Sequence, residues 1–438
     1  MSHRERAAAA ARAGRPPGAR QVGLALCALT LSVSEMPTAR AEDPPPLDLP
    51  TALALAHANS PTLAAARQRV AEARGELTSA TLLLPENPEV EVGAGPRWLD
   101  AGVAGRRVSV EAGISQRLEI GGQRAARIGG ARASVSSAEA EVEAAVRSVD
   151  LAVATAFWEA MAAEERSRIA AEHEALAREL LDIAVARYER GATTPLDVNA
   201  ARIRLAEAIR QRGRAVFEEK AAGVRLAPLL GLDPAAPPRV VGALPEPSPS
   251  SPAAGDDALA TSPDAVAAHQ RTRSARAAAD LASAMAWPDV RIGARYATEE
   301  ASQAVMGSVA FGLPLRRAQG ERQRASAGVG RAEADERAVR ARVAAELHQA
   351  RLDAERARGA LELYDAAVLN ALGENVVLLR RMAAAGKAPP AEVVVLQREL
   401  LEGRLGYLDA RLQVAVAEAR LRAAAGLPVA PNAAGGAR

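Results

Sequence analysis

The side chains that could do chemistry in this chain are spaced in a way that argues against catalysis. His57, His173, His269 and His348 stand far apart, with no His pair and no Glu-x-x-His at metal-ligand spacing. A lone histidine is more often a surface or packing residue than a ligand. The chain has no Gly-x-Ser-x-Gly turn, no phosphate-binding loop and no nucleophile beside a base. The Gly-rich stretch GAGPRWLDAGVAG at 93–105 joins two strand-like segments and opens no helix, so it reads as a hairpin loop and not as a phosphate cradle. No enzyme activity, cofactor or resident metal is expected.

What remains is chemistry of position, in two places. The first is a turn written twice. RGATTPLDV at 190–198 and AGKAPPAEV at 385–393 share a Gly, then a Pro four residues on, then an acid and a Val. Gly191 supplies a left-handed residue that ends one helix. Thr194 can cap the next, Pro195 fits its first turn, and Asp197 complements its dipole. Gly386, Pro390 and Glu392 take the same parts. Gly191, Ala192, Thr193, Thr194, Pro195 and Asp197, with Gly386, Lys387, Pro389, Pro390 and Glu392, are therefore expected at the tips of two helical hairpins. They are read as a docking surface; the alternative is that both are only loops.

The second place is a set of alternating segments at about 88–97, 107–119, 288–297 and 304–314, the last closed by Pro314. Val108, Val110, Ala112 and Ile114 fall on one face, and Ser109, Glu111, Gly113 and Ser115 on the other. Val290, Ile292, Ala294 and Tyr296 alternate with Arg291, Gly293 and Arg295, and Val309 and Phe311 extend the apolar set. Trp98, Trp287, Tyr296 and Phe311 lie in or beside these strands, as interfacial aromatics do. The apolar faces suit lipid, and Glu111, Arg291 and Arg295 would face a water-filled pore. Four strands cannot close a barrel, which needs at least eight and no exposed edge. Copies would have to pool strands, twelve in a trimer. The alternative is a soluble hairpin pair packed on helices.

The elements that position these groups are mostly helical. The chain is 49% hydrophobic but only 2% aromatic, with alanine dominant, which favours long helices in close contact over a sandwich or a doubly wound sheet. Net charge is +2 with both signs mixed, which gives no nucleic-acid patch. The repeat extends beyond the turns. NPEVEVG at 87–93 resembles WPDVRIG at 287–293, and LLGLDP at 229–234 is matched by AAGLP at 424–428. Each half reads as a helix (about 51–83, about 257–286), two strands, a long proline-free helix (about 123–190, about 317–385) and a returning helix (about 196–230, 391–425). Val394, Leu401 and Leu408 step by seven with Leu405 and Leu412 between them, and so do Ile169, Leu176 and Ile183 with Leu180, which is coiled-coil packing. The expected divisions are a first repeat at 42–232, a Pro-rich connector at 233–256, a second repeat at 257–428 and a flexible tail at 429–438.

Residues 1–41 read as an export signal. Five arginines precede the apolar run at 22–33, and Ala39-Arg40-Ala41 makes an A-x-A cleavage site. The alternative is a disordered basic tail. Cys27, the one cysteine, lies in the apolar run. Leu26 precedes it where acylation expects a small residue, so Cys27 is read as removed with the signal, acylation being the alternative. The mature chain would then have no disulfide.

LTSATLLLPENPEVEV, ISQRLEIGGQRAARI, the paired tips and the duplicated layout resemble the outer-membrane factor (TolC-like) family of tripartite efflux systems. The resemblance covers about 47–428. It implies a homotrimer with one shared twelve-stranded β-barrel in the outer membrane of a Gram-negative bacterium and an α-barrel tunnel through the periplasm. It also implies that the tips meet a periplasmic adaptor linked to an inner-membrane pump. LLPENPEVEV followed by ISQRLEIGGQRAARI is most similar to the cobalt–zinc–cadmium and copper–silver branch, which works with pumps of the resistance–nodulation–division (RND) type. The resemblance thus implies passive conduction of heavy-metal cations. A multidrug or type I protein-secretion duct is the alternative of the same architecture, and a soluble periplasmic coiled-coil scaffold is the distant one.

Overall fold

A computed structural model describes residues 46–84, 86–97, 107–247, 262–299, 302–312, 319–385, 387 and 390–429. The export signal, Trp98, Pro314, Gly386 and Pro389 lie outside the described residues. The elements in order are α1 (Leu49–Asn59), α2 (Pro61–Thr81), β1 (Glu89–Arg97), β2 (Arg107–Leu118), α3 (Gln123–Glu189), α4 (Pro195–Leu229), α5 (Pro263–Ala284), β3 (Val290–Glu299), β4 (Ser302–Phe311), α6 (Gln319–Glu362), α7 (Ala366–Ala385) and α8 (Pro390–Ala424). The architecture is mainly helical with one small antiparallel sheet, as the composition and patterning indicated.

Two helices expected to be continuous are broken, each for a local reason. The first, expected at 51–83, divides at Ser60 because Pro61 has no N–H to give the His57 carbonyl and pushes Ser60 into extended backbone. The Arg67 guanidinium donates to that carbonyl instead, at 3.2 Å. The Ser60 hydroxyl caps α2 by accepting from the Leu63 N–H. The second, expected at 317–385, divides between α6 and α7 at residues 363–365. Asp365 starts α7 by accepting from the Val368 N–H at 2.8 Å. Tyr364 turns out of the break onto α8, where its ring lies 5.6 Å from that of Tyr407. A Cβ at Gly406 would come within 2.3 Å of the Tyr364 hydroxyl, so a side chain there would have to displace the Tyr364 ring. By contrast α3 is unbroken over 67 residues, about 100 Å at 1.5 Å per residue.

Alanine sets the packing. Val153, Ala154, Phe157 and Trp158 of α3 are buried against Ala52 and Ala56 of α1, Leu226 of α4 and Ala415 and Ala419 of α8. A second cluster joins Leu347 and Ala354 of α6 to Val414 and Leu421 of α8. A third joins Leu176 and Leu180 of α3 to Leu379 of α7 and Val393 and Leu400 of α8. The first and third clusters hold the seven-residue steps except Val394, beside which Val393 is the buried residue, and the second lies outside them. The packing order among the long helices is α4, α3, α8, then α6 with α7, which leaves α4 at one edge and α6–α7 at the other. Residues 233–247 are not a free span. Leu47 pairs in parallel with Val240, and the Val241 N–H donates to the Leu47 carbonyl at 2.9 Å. Val240 and Leu244 are buried in the main core.

The sheet runs β1-β2-β3-β4, every neighbour antiparallel. Its central pairing, β2 with β3, joins the two halves of the chain, with Leu118 opposite Val290 and Ala112 opposite Tyr296. β3 and β4 lie at 290–299 and 302–311, each about two residues from the sequence expectation. Both edge strands, β1 and β4, present a ladder side with no partner strand among the described residues.

Candidate functional site

Strand register sorts the side chains into two chemically distinct faces. One row reads Val92, Ala112, Tyr296, Val305, and another Gln116, Ile292, Val309. Val108, Val110, Ile114, Val290 and Phe311 share that face. It is bare: Val92 is 72% exposed, Val309 70% and Phe311 63%. A contiguous apolar face of this extent needs a partner. The opposite face holds Glu89, Glu91, Glu111, Arg117, Arg291 and Arg295. There Arg291 pairs with Glu89 at 2.6 Å, while Arg295 lies 3.4 Å from Glu111 and 3.7 Å from Glu91. Each such exposed pair contributes little energy, but the row fixes where charge sits along the polar face. Glu111, Arg291 and Arg295, singled out from sequence, thus lie together on that face.

Where the sheet meets the helices, Arg117 is clamped by Glu86 at 2.7 Å and by Asp289. Trp287, 63% exposed, packs its Cβ over Gly121, where an added Cβ would come within 2.4 Å. A double glycine after a strand gave the one sequence hint of this contact.

At the other end of α3, the first tip follows from its residues. Gly191 adopts φ +71°, and the Ala192 N–H donates to the Arg187 carbonyl at 2.9 Å, which closes the helix end. Thr194 and Asp197 form a reciprocal capping box. The Asp197 N–H donates to the Thr194 hydroxyl, and the Thr194 N–H donates to the Asp197 carboxylate at 3.0 Å. The Thr193 hydroxyl donates to the same carboxylate at 2.5 Å. That bond first, then those from Thr194, hold the Asp197 carboxyl below its ordinary value. Ala192, Pro195 and Leu196 are exposed, Leu196 at 75%. At the second tip the Lys387 N–H donates to the Met382 carbonyl at 3.1 Å, the same closure; Lys387 and Glu392 are exposed. Thr193 and Asp197 share a small cavity of about 60 Å³ with Ala383 and Val393, so the helix ends that flank the second turn lie beside the first.

Just above the tips, ion pairs cross between the hairpins, and sequence reading missed them. Arg404 of α8 pairs with Glu172 of α3 at 2.8 Å, Arg380 of α7 with Glu179 at 3.2 Å, and Arg166 of α3 with Asp409 of α8 at 2.6 Å. Their partners are some 200 residues or more apart, and both helices carry many other charges, so no single sequence could have singled them out. The histidines do not assemble. His57 meets Asp150 at 2.5 Å, His269 meets Glu336 at 3.1 Å, and His173 lies half-buried on α3. Among the described residues no group of three or more His, Cys, Asp or Glu is placed to hold a metal ion. No described helix is long and apolar enough to cross a membrane.

Solved structures share this fold. CusC, described in terms of folding and transmembrane channel formation, aligns with a TM-score of 0.74 at 18% identity, covering 88% of this chain and 93% of that one. A membrane protein from Pseudomonas aeruginosa aligns at 0.73 and 18% identity, covering 88% and 92%. The outer membrane protein VceC from Vibrio cholerae aligns at 0.71 and 18%, covering 87% and 97%. At that identity the likeness establishes the fold. No curated protein matches the chain at sequence level. The family model described as outer membrane efflux protein matches residues 52–232 and 254–427, both halves of the duplication. The chain therefore belongs to the outer membrane efflux protein family.

Proposed function

We propose that three copies of this chain form one exit duct, a twelve-stranded barrel in the outer membrane continued by a helical tunnel in the periplasm, which conducts heavy-metal cations passively. The observation that carries this reading is incompleteness at two levels with the same sense. The sheet ends in β1 on one side and β4 on the other, and the helical layer ends in α4 and α6–α7. In each case one edge comes from each half of the duplication. Unlike edges on one subunit make a heterologous contact, which closes into a ring where its rotation permits. The helical edges are apolar in the same exposed way. On α4, Leu196, Ile203, Phe217 and Val224 are exposed at seven-residue steps with Arg210 between, and Leu352, Val377 and Leu378 are exposed on α6–α7. Two copies would give eight strands and three give twelve; the family resemblance supports three.

In the assembled duct the bare valines would face lipid, and Glu111, Arg291 and Arg295 would face water. The paired tips would dock a periplasmic adaptor, which couples the duct to an inner-membrane RND-type pump. Leu83–Val92 and Ile114–Ile128 support the heavy-metal branch by resemblance. The test is tolerance of a deletion strain, with and without the restored gene, to zinc, cobalt, cadmium, copper, silver, detergents and dyes. Sensitivity to metals alone is expected. Sensitivity confined to organic compounds would overturn the metal assignment and leave the duct. No phenotype, together with loss of a secreted protein, would favour the type I secretion reading. Release of the chain by osmotic shock without detergent would favour the scaffold.

A further inference from the structure

Three consecutive leucines stand in the open where the helices meet the sheet. Leu82, Leu83 and Leu84 follow α2 and are 55%, 77% and 37% exposed. A run of exposed apolar residues is disfavoured in water unless something covers it. Ile120, which follows β2, and Trp287, which precedes β3, are exposed as well. All five lie next in sequence to the sheet end whose apolar row is Leu118, Val290 and Phe311. They therefore extend the bare face of the sheet past its last hydrogen-bonded row.

The leucines are held in place by a built contact. The Arg127 guanidinium of α3 donates to the carbonyls of Ala80 and Leu82, each at 3.3 Å, and that of Arg124 donates to the Thr81 carbonyl at 2.9 Å. Glu119, between β2 and α3, pairs with Arg127 and anchors it. Protein groups thus satisfy the last carbonyls of α2, as they must where a chain leaves bulk water. A cation in the first turn of a helix opposes its dipole, and the first turn of α3 holds Arg124 with no acid. Arg124 is exposed, and its remaining N–H groups suit phosphate oxygens.

We propose that Leu82–Leu84 form a wedge that enters the phospholipid leaflet on the helical side of the barrel. The proposal rests on the barrel reading above. Irregular backbone facing lipid is not tolerated in the hydrocarbon core, so the wedge belongs to the interface, where tryptophans such as Trp287 also settle. A second copy is a poor match for the leucines. The ring would bring β4 of the neighbour beside β1, and the helix after β4 opens with QGERQRASAGVG at 319–330. Val329 is the one aliphatic side chain in it larger than alanine.

The test is spin-label accessibility of the full-length protein in vesicles of phosphatidylethanolamine and phosphatidylglycerol. With Cys27 replaced by serine, labels are placed at Leu83→Cys and, separately, at Val92→Cys on the apolar strand face. Both residues are exposed in the single copy, so neither variant loses packing there. Oxygen partitions into lipid, and a neutral nickel chelate into water. At Leu83 collisions with oxygen should exceed those with nickel, by a smaller factor than at Val92, which lies further from the sheet end. An excess of nickel collisions at Leu83, with Val92 in lipid, would mean water and would overturn the wedge alone. Access of neither reagent at Leu83 would mean that a neighbouring copy covers it, and would overturn the wedge as well. Nickel access at Val92 too would overturn the barrel reading itself.

Discussion

Thr194 and Asp197 show how much one turn can specify. Their capping box, Pro195 at the first helical position and Gly191 in left-handed backbone are all written in nine residues. The turn was legible because each residue acts locally. Thr194→Ala should cost about 1 kcal/mol of stability, read as a lower denaturation midpoint. The effect should depend on pH. The Asp197 carboxyl, held down by Thr193 and Thr194, contributes above its ordinary unfolded value of about 4 and loses that contribution as pH falls through the lowered folded value. The gap between wild type and Thr194→Ala should therefore narrow in acid, and a gap constant from pH 7 to pH 2 would contradict the capping box. The cross-hairpin pairs such as Arg404 with Glu172 were not legible, because nothing local distinguishes them from the many surface charges on the same helices.

At the scale of the element, α3, α4 and α8 and the strand pair β1–β2 follow the sequence closely, since periodicity and terminal signals agree there. The two misread helices are instructive. Pro61 gives its own signal, but the apolar pattern runs on through it and masks the break. The break before α7 has no proline, and its cause is tertiary: Tyr364 seeks α8 at Gly406, and Asp365 then caps the new start. Gly406→Val should force Tyr364 away and destabilise by about 1–3 kcal/mol, while Gly328→Val, where a Cβ meets nothing within 4 Å, should cost no more than helix propensity does. Thermal melts of the two variants make the comparison. The exposed seam on α4 makes a different prediction. Phe217→Asp should leave the far-ultraviolet circular dichroism of the chain intact and abolish its self-association in light scattering, because Phe217, 76% exposed in the single copy, has no packing to lose there. Unchanged association would remove α4 from the interface.

For the whole molecule, duplication is the organising fact. The β2–β3 pairing joins the halves inside one copy, and in the proposed ring the same logic between copies would pair β4 with β1. That copies pool their strands is the proposal. Sequence patterning foretold the strands and their two faces. It did not foretell that residues 233–247 would pack into the core through Val240 and Leu244, because a Pro-rich composition describes a stiff segment and says nothing of what it lies against. Cysteine pairing tests the closure of the ring most directly. Within one copy, β1 and β4 are separated by three strand spacings, about 14 Å, beyond the roughly 7 Å that a disulfide can bridge. With Cys27 replaced by serine, Val92→Cys should be combined in turn with a cysteine at each position from Gln303 to Ala310, and the membrane-extracted protein oxidised. One register should give a covalent ladder that ends at three copies. Single copies at every register would contradict a shared barrel.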